Sequence, residues 1–322
     1  MAIDNKNHIL KIVKLVLGIT LLLLLLTWNN NGRNLLKVFS ELKPVYFVLL
    51  ILLSIILNLV SSVKWSLFLH DKGIDITQFK LFKLYLIGKF FSNFLPTMVG
   101  GDITRAYLLG KEINSHSQSM ASVFLERITG LYGLAIIAII FSLINYKILF
   151  NPVISISISS VAAGCLLGLI LFFKSSVKNL ILQIIPDFSA LKKFKIKFEK
   201  LSDDIGYYKS RRMLLLSSLG LSVCFHLIAC VNVYIACVSI GFYPDFIDVL
   251  VITPVILILT MIPVSPGNIG WWEWCFSVLL IDAGASSSEG LAVALMLRAI
   301  TLLASLIGGL FFLQAKRTPK VT

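Results

Sequence analysis

The chain has 322 residues, 57% hydrophobic and only 14% charged, with a mean hydropathy of +0.91. A soluble domain carries about 25% charged residues, so the composition excludes a water-soluble globular protein and points to repeated membrane crossings. The formal net charge of +13 would suit nucleic acid, but ten of the Lys and Arg residues lie in 174–212, between apolar segments, which is a topology signal and not a nucleic-acid surface.

A spanning helix needs about 20 apolar residues. The first candidate, 9–27, follows a basic flank (Lys6, Lys11, Lys14) and lacks a small-residue cleavage site, so it reads as a retained helix. The second is 45–63, and 64–83 with Lys64, Lys72, Lys80 and Lys83 reads as an inner-side segment. Two short apolar pieces follow, 80–95 and 102–112, interrupted at Pro96 and at Gly100 and Gly101. Candidates 120–143 and 152–173 come next. In the basic connector 174–212, Phe188, Leu191, Phe194, Ile196, Phe198 and Leu201 alternate with lysines. That pattern fits an amphipathic helix on the inner membrane surface, contacting anionic headgroups, or a plain cytoplasmic linker. Beyond 213–240 lies a second broken pair, 248–263 and 270–284, interrupted at Pro263, Pro266, Gly267 and Gly270. The last candidate is 289–313, before a tail with Lys316, Arg317 and Lys320.

With the lysine-flanked N-terminus inside, the charge rule closes with both termini cytoplasmic in a multi-pass cell membrane protein. The expected fold is an all-α polytopic membrane bundle of about six full spans plus two broken, re-entrant hairpins, forming one domain over 1–322. One hairpin follows a span that ends inside and the other a span that ends outside. The halves 44–173 and 213–313 therefore read as an inverted repeat joined by 174–212. Two independent kinked helix pairs would give the same parity. Broken backbone at membrane depth is tolerated only inside protein or along a watery cavity, and paired breaks mark transporter sites.

Ionisable groups in a membrane cost roughly 2.5–3.5 kcal/mol each on insertion scales, so each needs a partner, water or a substrate. The set is Lys89, Asp102, Arg105, Glu126, Arg127, Glu273, Asp282 and Arg298. Asp102 and Arg105 share a helix face at a helix start whose free amides attract anions. Arg105 there either takes phosphate with paired donors or simply pairs with Asp102. Adjacent Glu126 and Arg127 point about 100° apart and need separate partners, unless they snorkel at a helix end. Glu126 shares a face with Gly130 and Gly133, where a neighbouring backbone can approach. Arg298 can pair with Glu126 or Glu273, or meet a lipid phosphate. Trp271 and Trp272 beside Glu273 mark either an interface belt or the wall of a headgroup pocket. His226 reads as a packing residue. The five cysteines form no CxxC pair, so neither metal nor disulfide is expected. No nucleophile elbow, HExxH or nucleotide-binding glycine loop occurs, so neither an enzyme nor a cofactor is expected.

Four motifs occur in order over about 60–313: Asn93-Phe94-Leu95-Pro96 with Gly100-Gly101-Asp102 and Arg105; Glu126-Arg127-Ile128-Thr129-Gly130-Leu131; Pro263 and Pro266-Gly267-Asn268-Ile269-Gly270 with Glu273; and Arg298 ahead of Gly308-Gly309. Together they resemble the flippase-like family related to the transmembrane region of lysylphosphatidylglycerol synthases. Asn268 stands where relatives often carry Gly. The resemblance implies translocation of a phospholipid or polyprenyl-phosphate-linked headgroup rather than its synthesis, with Asp102, Arg105, Glu126, Arg127, Glu273 and Arg298 lining a polar cavity. The competing expectations are a non-transporting subunit or scaffold for an envelope glycosyltransferase or lipid-modifying enzyme, and a membrane-embedded transferase.

Overall fold

The structure, a computed structural model, describes residues 16–27, 43–94, 100–173 and 189–317. Among these residues are eleven α-helices and no strand. They are α1 (Val16–Thr27), then α2 (Pro44–His70), α3 (Gln78–Phe94), α4 (Gly100–Glu112), α5 (His116–Ile144) and α6 (Pro152–Phe173). After them come α7 (Ser189–Tyr207), α8 (Arg212–Ser239), α9 (Phe246–Leu259), α10 (Trp271–Leu279) and α11 (Ser287–Arg317).

Five helices, α2, α5, α6, α8 and α11, are long and apolar enough to cross a membrane. The first expected span is described only over Val16–Thr27, and its remainder lies outside the described residues, as does Pro96. The short helices cannot span alone. At 1.5 Å per residue, α9 and α10 reach about 21 and 13 Å, against a hydrocarbon core of about 30 Å.

Sequence explains the boundaries. Pro44 occupies the first turn of α2, where its missing N–H costs nothing. Ser115 accepts the Gln118 amide to start α5, and Asp245 accepts the Ile247 amide at 2.9 Å to start α9. One boundary departs from expectation. α2 continues to His70, because no glycine or proline interrupts Lys64–His70, so Lys64 lies in a helix and is 4% exposed. Its inward face is polar, carrying Ser54, Asn58, Ser61, Ser62, Lys64 and Trp65.

The chain α2–α3–α4–α5 repeats as α8–α9–α10–α11 in the order long, short, short, long. Lys80 at the start of α3 pairs with Glu112 at the end of α4, so this hairpin enters and leaves at one end of the bundle. The same end holds the start of α5, where Ser117 donates to Asp204, which also pairs with Lys72 just beyond α2. At the far end of α5, Asn145 donates to Asp248 at the start of the second hairpin. Asn151 beside it donates to Asp282, where that hairpin finishes, at 2.6 Å. The hairpins therefore enter from opposite ends, and their tips meet: a Cβ on Gly267 would sit 3.2 Å from the Asn93 carbonyl oxygen.

Packing follows this plan. The larger core gathers α5, α6, α8, α9, α10 and α11 around Val251, Ile252, Val255, Phe276 and Leu291. A second core holds Trp65, Leu81, Tyr85, Ala106, Leu109 and Val123 between α2 and α5. The outer face of α6 is apolar and exposed, through Ile156, Leu166, Leu167, Leu169 and Ile170, as a lipid-facing helix requires.

The described part of the connector, α7, ends on the bundle. Besides Asp204, Tyr208 donates to the Phe68 carbonyl at 2.6 Å and Arg211 pairs with Asp71 at 3.5 Å. Burial raises the pKa of the Tyr208 phenol, which keeps it a donor. Removing the shared carboxylate with Asp204→Ala is expected to loosen α7 and leave the membrane bundle intact. Faster trypsin cleavage at Lys197 and Lys200, with an unchanged melting temperature of the remainder, is the readout.

Candidate functional site

Two sets of charges sit inside the bundle, one at each break. The first joins α2, α4 and α5. Glu126 is 3% exposed and takes Lys64 Nζ at 3.2 Å on one oxygen and Arg105 Nη2 at 2.5 Å on the other. Arg105 also donates through Nε to Asp102 at 3.1 Å. Arg127 chelates the same Asp102 carboxylate through Nε and Nη2, both at 2.8 Å. Asp102 thus bridges two guanidinium groups, and Glu126 and Arg127 point to different partners, as their adjacency requires.

The guanidinium of Arg105 lies between Trp65 and Tyr85, 4.8 and 4.7 Å from the ring centroids. Trp65 is itself fixed by its Nε1 donation to Ser122 at 2.9 Å. Although Arg105 is 1% exposed, its Nη1 has no hydrogen-bond partner. A buried charged donor without an acceptor is expensive. The Arg127 side chain, in contrast, is 54% exposed.

Close helix approach makes this geometry possible. A Cβ on Gly101 would stand 2.0 Å from the Gly88 carbonyl oxygen, and Gly88 packs on the Arg105 side chain. Gly100 and Gly101 are the first turn of α4, not the turn before it; their smallness serves contact with α3. On α8, Ser222 accepts from Lys64 at 3.1 Å, Ser218 meets Thr129 at 2.9 Å, and His226 Nε2 bonds the Gly130 carbonyl at 3.0 Å. Gly133 admits the Ser222 backbone. His226 is therefore a packing residue in a polar interhelical seam.

The second set is a clip. Arg298 on α11 pairs with Glu273 on α10 and donates to the Gly267 carbonyl at 3.1 Å and the Asn268 carbonyl at 2.8 Å. Glu273 also accepts the Gly270 amide at 2.8 Å. The break between Leu259 and Trp271 needs these fixtures, because Gly267, Asn268 and Gly270 all have positive φ. Asn tolerates that conformation, so Asn268 can hold this turn. Trp271 and Trp272 tie the break as well, donating to the Leu259 and Ala294 carbonyls at 2.9 and 3.3 Å. At the meeting point of the tips, Asn93 Nδ2 and Asn268 Oδ1 are buried without partners.

The structure thus brings Asp102, Arg105, Glu126 and Arg127 together and joins Glu273 to Arg298 as a separate pair. Asp282 belongs to the far end of the bundle. Sequence reasoning missed Lys64. The unbroken run to His70 was the signal that placed it on a helix. Among the described residues no cluster of His, Cys, Asp or Glu could hold a metal, and the cysteines are unpaired.

A polytopic helical membrane protein with two opposed broken hairpins and a buried, charged site is the class that fold and site define. The chain belongs to the family described as Lysylphosphatidylglycerol synthase TM region, whose model matches residues 11–309. It is similar to a UPF0104 membrane protein of Pyrococcus horikoshii, 25% identical over 95% of this chain and 98% of the relative. Two UPF0104 membrane proteins of Methanothermobacter thermautotrophicus are 24% and 21% identical, over 80% and 93% of this chain and 81% and 91% of the relatives. No solved structure matches.

Proposed function

We propose that the protein is a lipid translocase that moves an anionic phospholipid or a polyprenyl-phosphate-linked headgroup through a polar site near the bilayer midplane. The observation that carries this reading is the free, buried Arg105 Nη1 beside half-open Arg127, in a cluster with more cations than carboxylates. Glu126 lies ten residues into the 29-residue α5, about 15 Å from that end and about a third of the way along the helix, so a headgroup there is inside the span while its chains stay in lipid. Guanidinium pairs suit phosphate oxygens. The halves 44–173 and 213–313 would rock about the meeting tips to alternate access.

Charge supports an orientation. Lys72, Lys80, Lys111, Lys209, Arg211 and Arg212 lie at the connector end, against Lys43 and Lys147 at the other. The connector end is then cytoplasmic, with both termini, in the cell membrane. A cell-envelope biosynthetic enzyme is the fitting supplier of substrate.

Vesicles containing the purified protein and a fluorescent anionic lipid test the reading. Wild type should exchange label between leaflets well above protein-free vesicles. Arg127→Gln should slow exchange about ten- to hundredfold, the loss of one charge-assisted contact. Wild-type exchange at the protein-free rate overturns the proposal.

A further inference from the structure

We propose that the seam between α4 and α5 is the lane in which a hydrocarbon chain of an anionic lipid lies while its headgroup meets Arg127, so that substrate loads sideways from the leaflet at the connector end. The proposal rests on the reading above and adds the surface that takes the substrate's chains.

The seam consists of two stripes tied together at both ends. On α4, Ile103, Tyr107 and Lys111 recur every four residues and share a face, turned away from the buried Arg105, Ala106 and Leu109. On α5, His116, Phe124 and Arg127 fall within about a quarter of the helix circumference. Near the connector end the Tyr107 ring stacks on the His116 imidazole, with centroids 5.3 Å apart and planes inclined by 10°. Deeper, Asp102 chelates Arg127. Between these ties the Ser119 hydroxyl donates to the Ala106 carbonyl at 2.8 Å, so the helices stay in contact along the seam. Phe124 therefore lies on the same side as Ile103 and Tyr107.

The composition of this strip is unlike that of an ordinary lipid-facing surface. Ile103, Tyr107 and Phe124 are half-exposed, and they lead to an Arg127 side chain that is exposed as well. Lys64, Arg105, Glu126 and Glu273, in contrast, are buried. The outer face of α6 has comparable apolar exposure, but that helix contains no charged residue. Asp102 takes Nε and Nη2 of Arg127, which leaves the Nη1 edge outside the chelate. Bare hydrocarbon against that edge is penalised, and so is water against the apolar stripe. An amphiphile with an anionic head suits both: phosphate oxygens meet the guanidinium while a chain covers Ile103, Tyr107 and Phe124. Arg127 lies eleven residues along α5 from His116, about 16 Å, and Lys111 is exposed at the connector end of the α4 stripe. The lane thus runs from headgroup depth to the charged cluster.

Photo-crosslinking of the full-length protein in phosphatidylcholine vesicles tests the lane apart from transport. The probe is trace phosphatidylglycerol with a diazirine in one acyl chain, and the control is diacylglycerol carrying the same chain. Adducts mapped by mass spectrometry to 103–107 and 120–127 should be about tenfold more abundant with phosphatidylglycerol, the effect of one charge-assisted contact. Adducts on α6 should be equal for the two probes. Arg127→Gln should bring the seam adducts down to the diacylglycerol level. Phe124→Ser, which touches none of the cluster's bonds, should reduce the excess about threefold, because the chain loses part of its apolar cover. Equal seam adducts from the two probes, an excess that appears equally on α6, or an excess unchanged in Arg127→Gln overturns the proposal. Lipid exchange without a seam excess would remove the lane and leave the translocase reading standing. The excess without exchange would keep the lane and remove the translocase.

Discussion

Replacing Glu126 with Leu is expected to lower stability by about 3–5 kcal/mol. Glu126 is the common acceptor of two buried cations, Lys64 and Arg105, which come from different helices. Leu fills most of the volume but leaves both cations facing each other across a low-dielectric gap. Neither can snorkel: Lys64 is 4% and Arg105 1% exposed. The penalty is therefore the cost of leaving buried Lys64 with only the neutral Ser222 hydroxyl and Arg105 with only its bond to Asp102, not the worth of one bond. Thermal unfolding of the detergent-purified protein, read by intrinsic tryptophan fluorescence, should show a large drop in midpoint or no folded material. The double replacement Lys64→Met with Glu126→Leu should recover part of the loss, because the charge orphaned by the first change is gone. A double variant no more stable than Glu126→Leu would contradict the account of that cluster.

The second large effect belongs to a residue with no side chain. Gly308→Val should separate α11 from α3 and unfold or loosen the junction of the two halves. A Cβ there would lie 2.0 Å from the Leu86 carbonyl oxygen and 2.4 Å from its carbon. Both atoms are backbone inside a helix, so relief requires moving a whole helix and not turning a side chain. Next along, Gly309 seats the Phe90 ring, and Phe91 packs edge-on against Phe312 at 5.0 Å. Overpacking typically costs 1–3 kcal/mol; a clash with helical backbone should exceed about 3 kcal/mol. The check is the melting midpoint together with susceptibility of the α3–α4 hairpin to proteolysis. A Gly308→Val protein with wild-type midpoint would show that the helices do not touch there.

Much of this architecture was legible in the sequence because lipid leaves few choices. Apolar runs of fixed length marked α2, α5, α6, α8 and α11, and the short, Pro- and Gly-interrupted pieces marked α3–α4 and α9–α10. The adjacency of Glu126 and Arg127 foretold separate partners because helix geometry forbids them the same one. What sequence could not supply was pairing across helices. Arg298 had two acids within its plausible reach, and only the fold decides for Glu273. Lys64 was hidden for a different reason: a lysine just past an apolar run resembles a loop charge, and its helix continues only because no breaker intervenes before His70. The role of Gly101 was equally hidden, since a glycine that makes a turn and a glycine that admits a neighbouring backbone look the same in one dimension.

Water access to the Arg105 cluster tests the account most directly. In a protein whose native cysteines are replaced, Arg127→Cys places a thiol at the open edge of that cluster, where the side chain is 54% exposed. Leu169→Cys is the control. It lies on the outer face of α6 next to Gly168, which packs on the Tyr132 hydroxyl about one turn along α5 from residue 127. With the protein in lipid vesicles, a membrane-impermeant thiol reagent should label position 127 and leave position 169 unlabelled. Labelling of neither would put the charged cluster in sealed hydrocarbon, out of reach of any aqueous headgroup path, and would contradict the account.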